Sequence, residues 1–330
     1  MRDRAARAPD RSHELSRPRL VVLRPLGLGD FLTGVPAYRA LARAFPEHRR
    51  LLAAPAALAP LIPLLGSTFE ALVPAEPLAP LGPELRGAEI GVDLHGRGPA
   101  SQRILVASGA RRLIAFANPL VPLSLGGAAW RADEHEVARW GRMLADAGVP
   151  SDPARLELAV PQISSPAPDA TVVHVGAASA SRRWPVERFA RVAAALRAAG
   201  ERVVLSGGPA DAERAHATAA LAGVPAGDVL AGRTGLLELA ALVAGARRVV
   251  CGDTGVGHLA SAYGVPSVLL FGPVAPAAWG PPARPIHRVL WAGRLGDPHG
   301  DALDPGLAEI APADVLAALA ALPERATSRV

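Results

Sequence analysis

The chain has 330 residues, half of them hydrophobic and a fifth charged, enough for two α/β domains of about 150 residues each. Only 4% are aromatic, so packing rests on Leu, Val and Ala, and all 35 basic residues are Arg. No uninterrupted apolar run approaches the ~20 residues of a bilayer span, and the single Cys251 excludes an internal disulfide or a cysteine-based zinc cluster.

The net charge of +5 is uneven: residues 1–19 hold six Arg against Asp3, Asp10 and Glu14. Residues 1–17 lack apolar periodicity and the apolar centre of a signal peptide, so they read as a disordered Arg-rich tail on a cytoplasmic chain. Nucleic-acid binding would rest on that tail alone and is not expected. Leu20–Arg24 (LVVLR) reads as a buried first strand, and Gly34–Phe45 as a helix with Val35, Tyr38, Leu41, Ala42 and Phe45 on one face. A strand follows at Arg50–Ala54, a helix at Ala56–Leu65, a strand at Ile90–Leu94 and a helix around Ala100–Ser108. Leu113–Ala117 reads as a further strand and His135–Ala147 as a helix, on the spacing of Val137, Trp140 and Leu144.

Five prolines between Gly148 and Asp169 mark a linker, dividing the chain into an N-terminal unit over 18–165 and a C-terminal one over 166–330. The pattern then restarts, with strands at Thr171–Val175, Arg202–Ser206, Val229–Leu230, Arg248–Cys251 and Ser267–Phe271. Helices are expected at Val186–Ala199, Ala210–Ala222, Leu236–Ala244, Val256–Tyr263 and Asp314–Leu322. Each half is thus a doubly wound Rossmann-like α/β sheet. Two such halves facing each other leave a cleft at the carboxyl ends of both sheets, where ligands bind.

The chemistry should lie in the strand-to-helix turns. The first reads Arg24-Pro25-Leu26-Gly27-Leu28-Gly29-Asp30. It is not a dinucleotide fingerprint, because position 32 is Leu and no acidic residue ends the next strand. Asp30 either serves as general base toward an acceptor hydroxyl or caps the helix. The strongest segment is Val249-Val250-Cys251-Gly252-Asp253-Thr254-Gly255-Val256-Gly257-His258, a strand running straight into a helix. Its first amides lack intrahelical partners and favour an anion, while Gly255 and Gly257 let a diphosphate approach the backbone. Thr254 and His258 add donors beside Asp253; the bland alternatives are an N-cap and a half-buried histidine. The turn Gly176–Pro185 offers Ser179, Ser181, Arg182 and Arg183, and an Arg there can clamp a phosphate with two parallel N–H bonds. Glu213, after Gly207-Gly208-Pro209, is either a ribose ligand or a surface carboxylate. No Asp-x-Asp occurs, so a metal-held diphosphate lacks its usual ligands; the Asp297–Asp301 cluster is not read as a metal site.

These residues resemble glycosyltransferase family 9, the ADP-heptose:lipopolysaccharide heptosyltransferase-like enzymes. The likeness is carried by LVVLRPLGLGDFLTGVPAYRALARAFP, SRRWPVERFARV, GGPADAERA, LLELAALVAGARRVVCGDTGVGHLASAYGVPSVLLFGP and WGPP, spanning Leu20 to about Pro282. The resemblance implies the GT-B fold and metal-independent, inverting transfer of a heptose or similar sugar from a nucleotide-diphosphate donor, with no cofactor. It implies Asp30 as catalytic base, Arg182, Ser179, Asp253, Thr254, Gly255 and His258 around the diphosphate, and Glu213 on the ribose. Gly29, Asp93 and Arg97 fall on the acceptor side. The acceptor implied is a glycan or glycolipid, met by a cytoplasmic enzyme at the inner face of the membrane.

Two segments depart from the family pattern. Ala177 and Ala178 with Ser179 and Ser181 stand where better-known members carry threonines, and Asp93-Leu94-His95-Gly96-Arg97 matches only loosely. They leave donor and acceptor identity open. A nucleotide-sugar epimerase of the same fold, which needs no acceptor, and a non-catalytic nucleotide-sugar-binding protein remain the competing readings.

Overall fold

The computed structural model describes residues 17–324, so all but the last residue of the Arg-rich tail lies outside it. The chain opens with β1 (Arg19–Leu23), α1 (Leu28–Thr33), α2 (Val35–Ala44) and β2 (Arg49–Ala54). β3 (Ala71–Pro74), β4 (Ile90–Asp93), α3 (Ala100–Ala107), β5 (Arg112–Ile114) and α4 (Glu136–Asp146) complete the first half. Its five strands are all parallel in the order β3-β2-β1-β4-β5. Leu20, Val21 and Val22 of β1 have no exposed surface, as expected for a central strand covered on both faces.

No helix or strand is assigned between Asp146 and Thr171. The second half then runs through β6 (Thr171–His174), α5 (Val186–Ala198), β7 (Val203–Ser206), α6 (Ala212–Ala222) and α7 (Leu236–Ala244). β8 (Arg248–Gly252), α8 (Gly255–Ala262), β9 (Ser267–Phe271), α9 (Pro276–Trp279) and β10 (His287–Trp291) follow, then α10 (Pro305–Glu309) and α11 (Pro312–Ala320). The sheet order is β10-β9-β8-β6-β7, again all parallel. In each sheet the chain's first strand lies between strands wound in opposite directions, so both halves have a switch point beside that strand. These are the two doubly wound sheets of a GT-B architecture.

The departures from the sequence reading have local causes. Ala56–Thr68 is 3₁₀-helix broken by non-helical backbone at Gly66, with a positive φ of 64°, and Ser67, and Pro60 and Pro63, lacking an N–H, keep it from forming an uninterrupted α-helix. Val229–Leu230 makes one isolated bridge, Leu205 to Val229, instead of a strand. α1, β3, α9, β10 and α10 carry no periodicity long enough to announce them. The two halves do not have separate cores: one buried apolar cluster includes Leu20, Leu52 and Trp140 together with Val172, Leu242 and Leu259.

Candidate active site

The turns after β1, β6 and β8 converge on one cavity of about 670 Å³, lined from the first half by Gly27–Asp30 and from the second by residues that include Arg182, Asp253, Thr254, Gly255 and His258. A cavity of that size falls in the range of small-molecule sites, and its place at the strand carboxyl ends is where a parallel sheet presents free helix N-termini. Among the sequence candidates, Asp30, Gly29, Arg182, Asp253, Thr254, Gly255 and His258 all line it.

On the second half, α8 begins at the cavity. Thr254 occupies its N-cap position with extended backbone but makes no cap hydrogen bond; its hydroxyl sits beside the Cys251 thiol, buried and otherwise unpartnered. An available hydroxyl and the open amides of a helix start together suit an anion. Arg182 donates from Nη2 to the Asp253 carboxylate at 2.6 Å and to the Asp253 carbonyl at 2.5 Å, while its Nε is buried with no partner. Asp253 therefore engages Nη2 with both its carboxylate and its carbonyl and leaves Nε without a partner. Burial pushes the Asp253 carboxyl up, and Arg182 opposes that shift. His258 is half-buried, stands edge-on to Trp279 at 6.2 Å between ring centres, and is lowered to about 4 by burial, with His135 and Arg182 adding to the shift. It is a neutral hydrogen-bonding group at neutral pH, not a cation.

The glycines serve closer packing than the sequence suggested. A Cβ on Gly255 would stand 2.8–2.9 Å from three atoms of Leu28 on α1, and one on Gly257 would strike Leu269 of β9. A Cβ on Gly29 would meet His258 at 3.4 Å. Small residues thus let α1 and α8 touch across the two halves, which brings Asp30 to the mouth of α8.

Asp30 lies in the first turn of α1 and makes no side-chain cap. Its carboxyl is raised above the usual range, chiefly by burial, with Glu136 adding and Arg24 opposing. Arg24 and Glu136, both almost wholly buried, are the residues that sequence reading missed here; Arg24 was lost among many arginines, and Glu136 is remote in the chain. His135 caps α4 by accepting the Val137 N–H on Nδ1, so Nε2 carries the proton and donates to the Gly280 carbonyl of the other half at 3.0 Å.

Four candidates lie apart from the cavity lining. The Ser179 hydroxyl donates to the Pro298 carbonyl at 2.6 Å. Asp93 is fully buried, accepting from Ser101 Oγ at 2.7 Å and the His95 amide at 2.9 Å, and burial pushes it up to about 6. Arg97 is exposed, with only its carbonyl engaged, by Gln102 and Asn118. Glu213 is exposed on the first turn of α6, while Asp211, two residues earlier, lines the cavity with its carboxylate on the Gly208 amide at 2.9 Å. His174, Trp279 and His299 also line it without having been singled out; His174, lowered to about 4 by burial, is hydrogen-bonded to Ser206 Oγ at 3.0 Å. The sequence did mark the loop around His299, but only as a metal cluster to be set aside.

Comparisons with known proteins agree with this architecture. Residues 132–297, half of the chain, match the model of glycosyltransferase family 9 (heptosyltransferase). A stretch of 100 residues is 40% identical to lipopolysaccharide heptosyltransferase 1 of Pseudomonas aeruginosa, covering 30% of this chain and 28% of that relative. The fold superposes on ADP-heptose lipopolysaccharide heptosyltransferase II of E. coli with a TM-score of 0.75 at 24% identity, over 92% of this chain and 98% of that one. An E. coli heptosyltransferase solved with ADP gives 0.69 at 18% identity, over 92% and 99%. The family match, on a GT-B frame whose helix N-terminus and carboxylate share one cavity, places the chain in glycosyltransferase family 9, the heptosyltransferase family, as a glycosyltransferase.

Proposed function

We propose that this glycosyltransferase moves a heptose or a similar sugar from an ADP-linked donor to a hydroxyl of a glycan or glycolipid acceptor, with inversion and without a metal. The observation that carries the reading is that Asp30 and the α8 N-terminus with Arg182 face one cavity from opposite halves. An acceptor oxygen beside Asp30 attacks the anomeric carbon and forms the new glycosidic bond, while the bond from that carbon to the donor's β-phosphate oxygen breaks. The acceptor proton passes to Asp30. The departing charge is taken up by the α8 amides, the Arg182 guanidinium, the Thr254 hydroxyl and His258, donors preorganised where charge develops. A carboxyl raised by burial suits the base, because proton transfer is most effective when its pKa approaches the working pH.

In this reading the acceptor is held by residues 18–165, where Gly29 borders the cavity and Asp93 shapes the turn that carries Arg97, and the donor by 166–330. Ser179 fixes the loop ahead of Arg182, and Glu213, exposed on the first turn of α6, is the proposed ribose ligand. The ADP preference is supported by the relatives solved with ADP and named for ADP-heptose. No helix among the described residues is long and apolar enough to cross a membrane; in this reading the acceptor is met from the cytoplasm at the membrane's inner face.

The test has two arms. In thermal shift, saturating ADP at a hundredfold its dissociation constant should stabilise the protein by about 2.7 kcal/mol, more than GDP, UDP or TDP and equally with EDTA present. With ADP-heptose and lipopolysaccharide core fragments, Asp30→Asn should abolish ADP release while leaving ADP affinity nearly unchanged. Full transfer by Asp30→Asn would sink the mechanism.

A further inference from the structure

The arginine at the end of β1 is the most heavily engaged side chain near the reacting centre. Arg24 is 1% exposed. It donates from Nε to the Asp30 carbonyl at 2.6 Å, from Nη1 to the Leu94 carbonyl, and from Nη2 to Thr33 Oγ1 at 3.1 Å and Glu136 Oε1 at 3.2 Å. The same Nη2 lies 3.7 Å from the Asp30 carboxylate, and the guanidinium stacks over Trp140 at 5.0 Å. Glu136 is pinned in turn by Arg139 and by the Trp140 indole N–H at 2.8 Å. A buried charge is costly unless paired and hydrogen-bonded, and here every side of the fork is occupied. Lysine, a point charge on a flexible stem, could not hold two carbonyls, a hydroxyl and two carboxylates at once.

We propose that Arg24 is a positioning residue for transfer: its fork fixes the turn and carboxylate of Asp30 toward the cavity, with Glu136 as the opposing charge behind it. The inference rests on the reading of Asp30 as the base and adds what aims that base. The titratable groups facing Asp30 are Arg24 just after β1, Glu136 from α4, Tyr38 from α2 and, across the cavity, His258 from α8. Tyr38 is held in its neutral form by burial and His258 is neutral above about 4, so Arg24 and Glu136 are the charges that decide how Asp30 titrates. They pull in opposite directions.

The experiment reads Asp30 directly, by carbon NMR titration of the full chain labelled at aspartate carboxyls, the resonance assigned with Asp30→Asn. Arg24→Gln should raise the Asp30 titration midpoint by about one unit or more, the lower end expected for losing an opposite charge within 4–6 Å. Glu136→Gln should lower it, and Arg24→Lys, which keeps the charge, should leave the midpoint near wild type while turnover of ADP-heptose falls tenfold or more. A merely structural role would move neither midpoint. Unmoved midpoints, or midpoints moving the same way in both neutral variants, would overturn the proposal. If Arg24→Gln does not fold, Glu136→Gln decides it by the same criterion. Opposed shifts together with unimpaired transfer by Asp30→Asn would instead keep the positioning and remove the general-base reading.

Discussion

Gly255→Ala tests whether contact between the halves governs the chemistry. The added methyl would lie 2.8–2.9 Å from Cβ, Cγ and Cδ2 of Leu28, where carbon atoms normally rest at about 3.5–4.0 Å. Two of those atoms are close to the α1 backbone, so a side-chain rotation cannot clear them all, and α1 must move by roughly 0.6–1 Å. Gly255 has no positive φ, so Ala is free of backbone strain, and as the first residue of α8 it gains little of the propensity that applies inside a helix. Overpacking costs about 1–3 kcal/mol and decides the sign. The loss should be about 1–3 kcal/mol in urea unfolding followed by circular dichroism. Because the displaced helix carries Asp30, ADP release from ADP-heptose should fall by about a hundredfold, the effect of a ~1 Å misplacement at a reacting centre. Leu28→Ala removes two of the three clashing atoms and should rescue part of both losses, giving a coupling of about 0.5–2 kcal/mol in a double-mutant cycle. Unchanged stability and rate in Gly255→Ala, or strict additivity with Leu28→Ala, would refute the argument.

Two further outcomes are expected. Arg182→Ala should cost about 2–4 kcal/mol, since it leaves the buried Asp253 carboxylate unpaired, and should weaken ADP binding. Adding Asp253→Asn should restore most of the stability but none of the ADP affinity; calorimetry showing both restored would mean that Arg182 does not touch the diphosphate. Asp93, raised from 3.8 to about 6, binds more protons folded than unfolded between those values, so its contribution to stability is present below 3.8 and lost as pH rises to about 6. The advantage of Asp93→Asn over wild type should therefore grow from pH 4 to 6 and level off above 7 at about 3 kcal/mol, an upper bound. A difference independent of pH in denaturation midpoints would contradict it.

How much of the site was legible depends on whether a residue acts through its own turn or through a remote partner. Asp30, Arg182, Asp253, Thr254, Gly255 and His258 follow parallel strands, and a doubly wound sheet must place such turns at one edge, so local pattern sufficed to gather them. Local pattern does not say where a side chain points within its turn. Hence Glu213 faces solvent while Asp211 reaches the cavity, and Ser179 turns to Pro298.

By itself the sequence determined the two sheets, through apolar runs too short for helices and broken by glycine and proline, and it determined which turns bear chemistry. Only the tertiary structure decided what those turns meet. The partners lie far apart in the chain: Glu136 behind Arg24, Leu28 against Gly255, His135 on Gly280. Helix and strand signals are set by periodicity over neighbouring residues, whereas the charge balance at Asp30 and the fit of α1 on α8 arise from side chains that become neighbours only when the halves pack together.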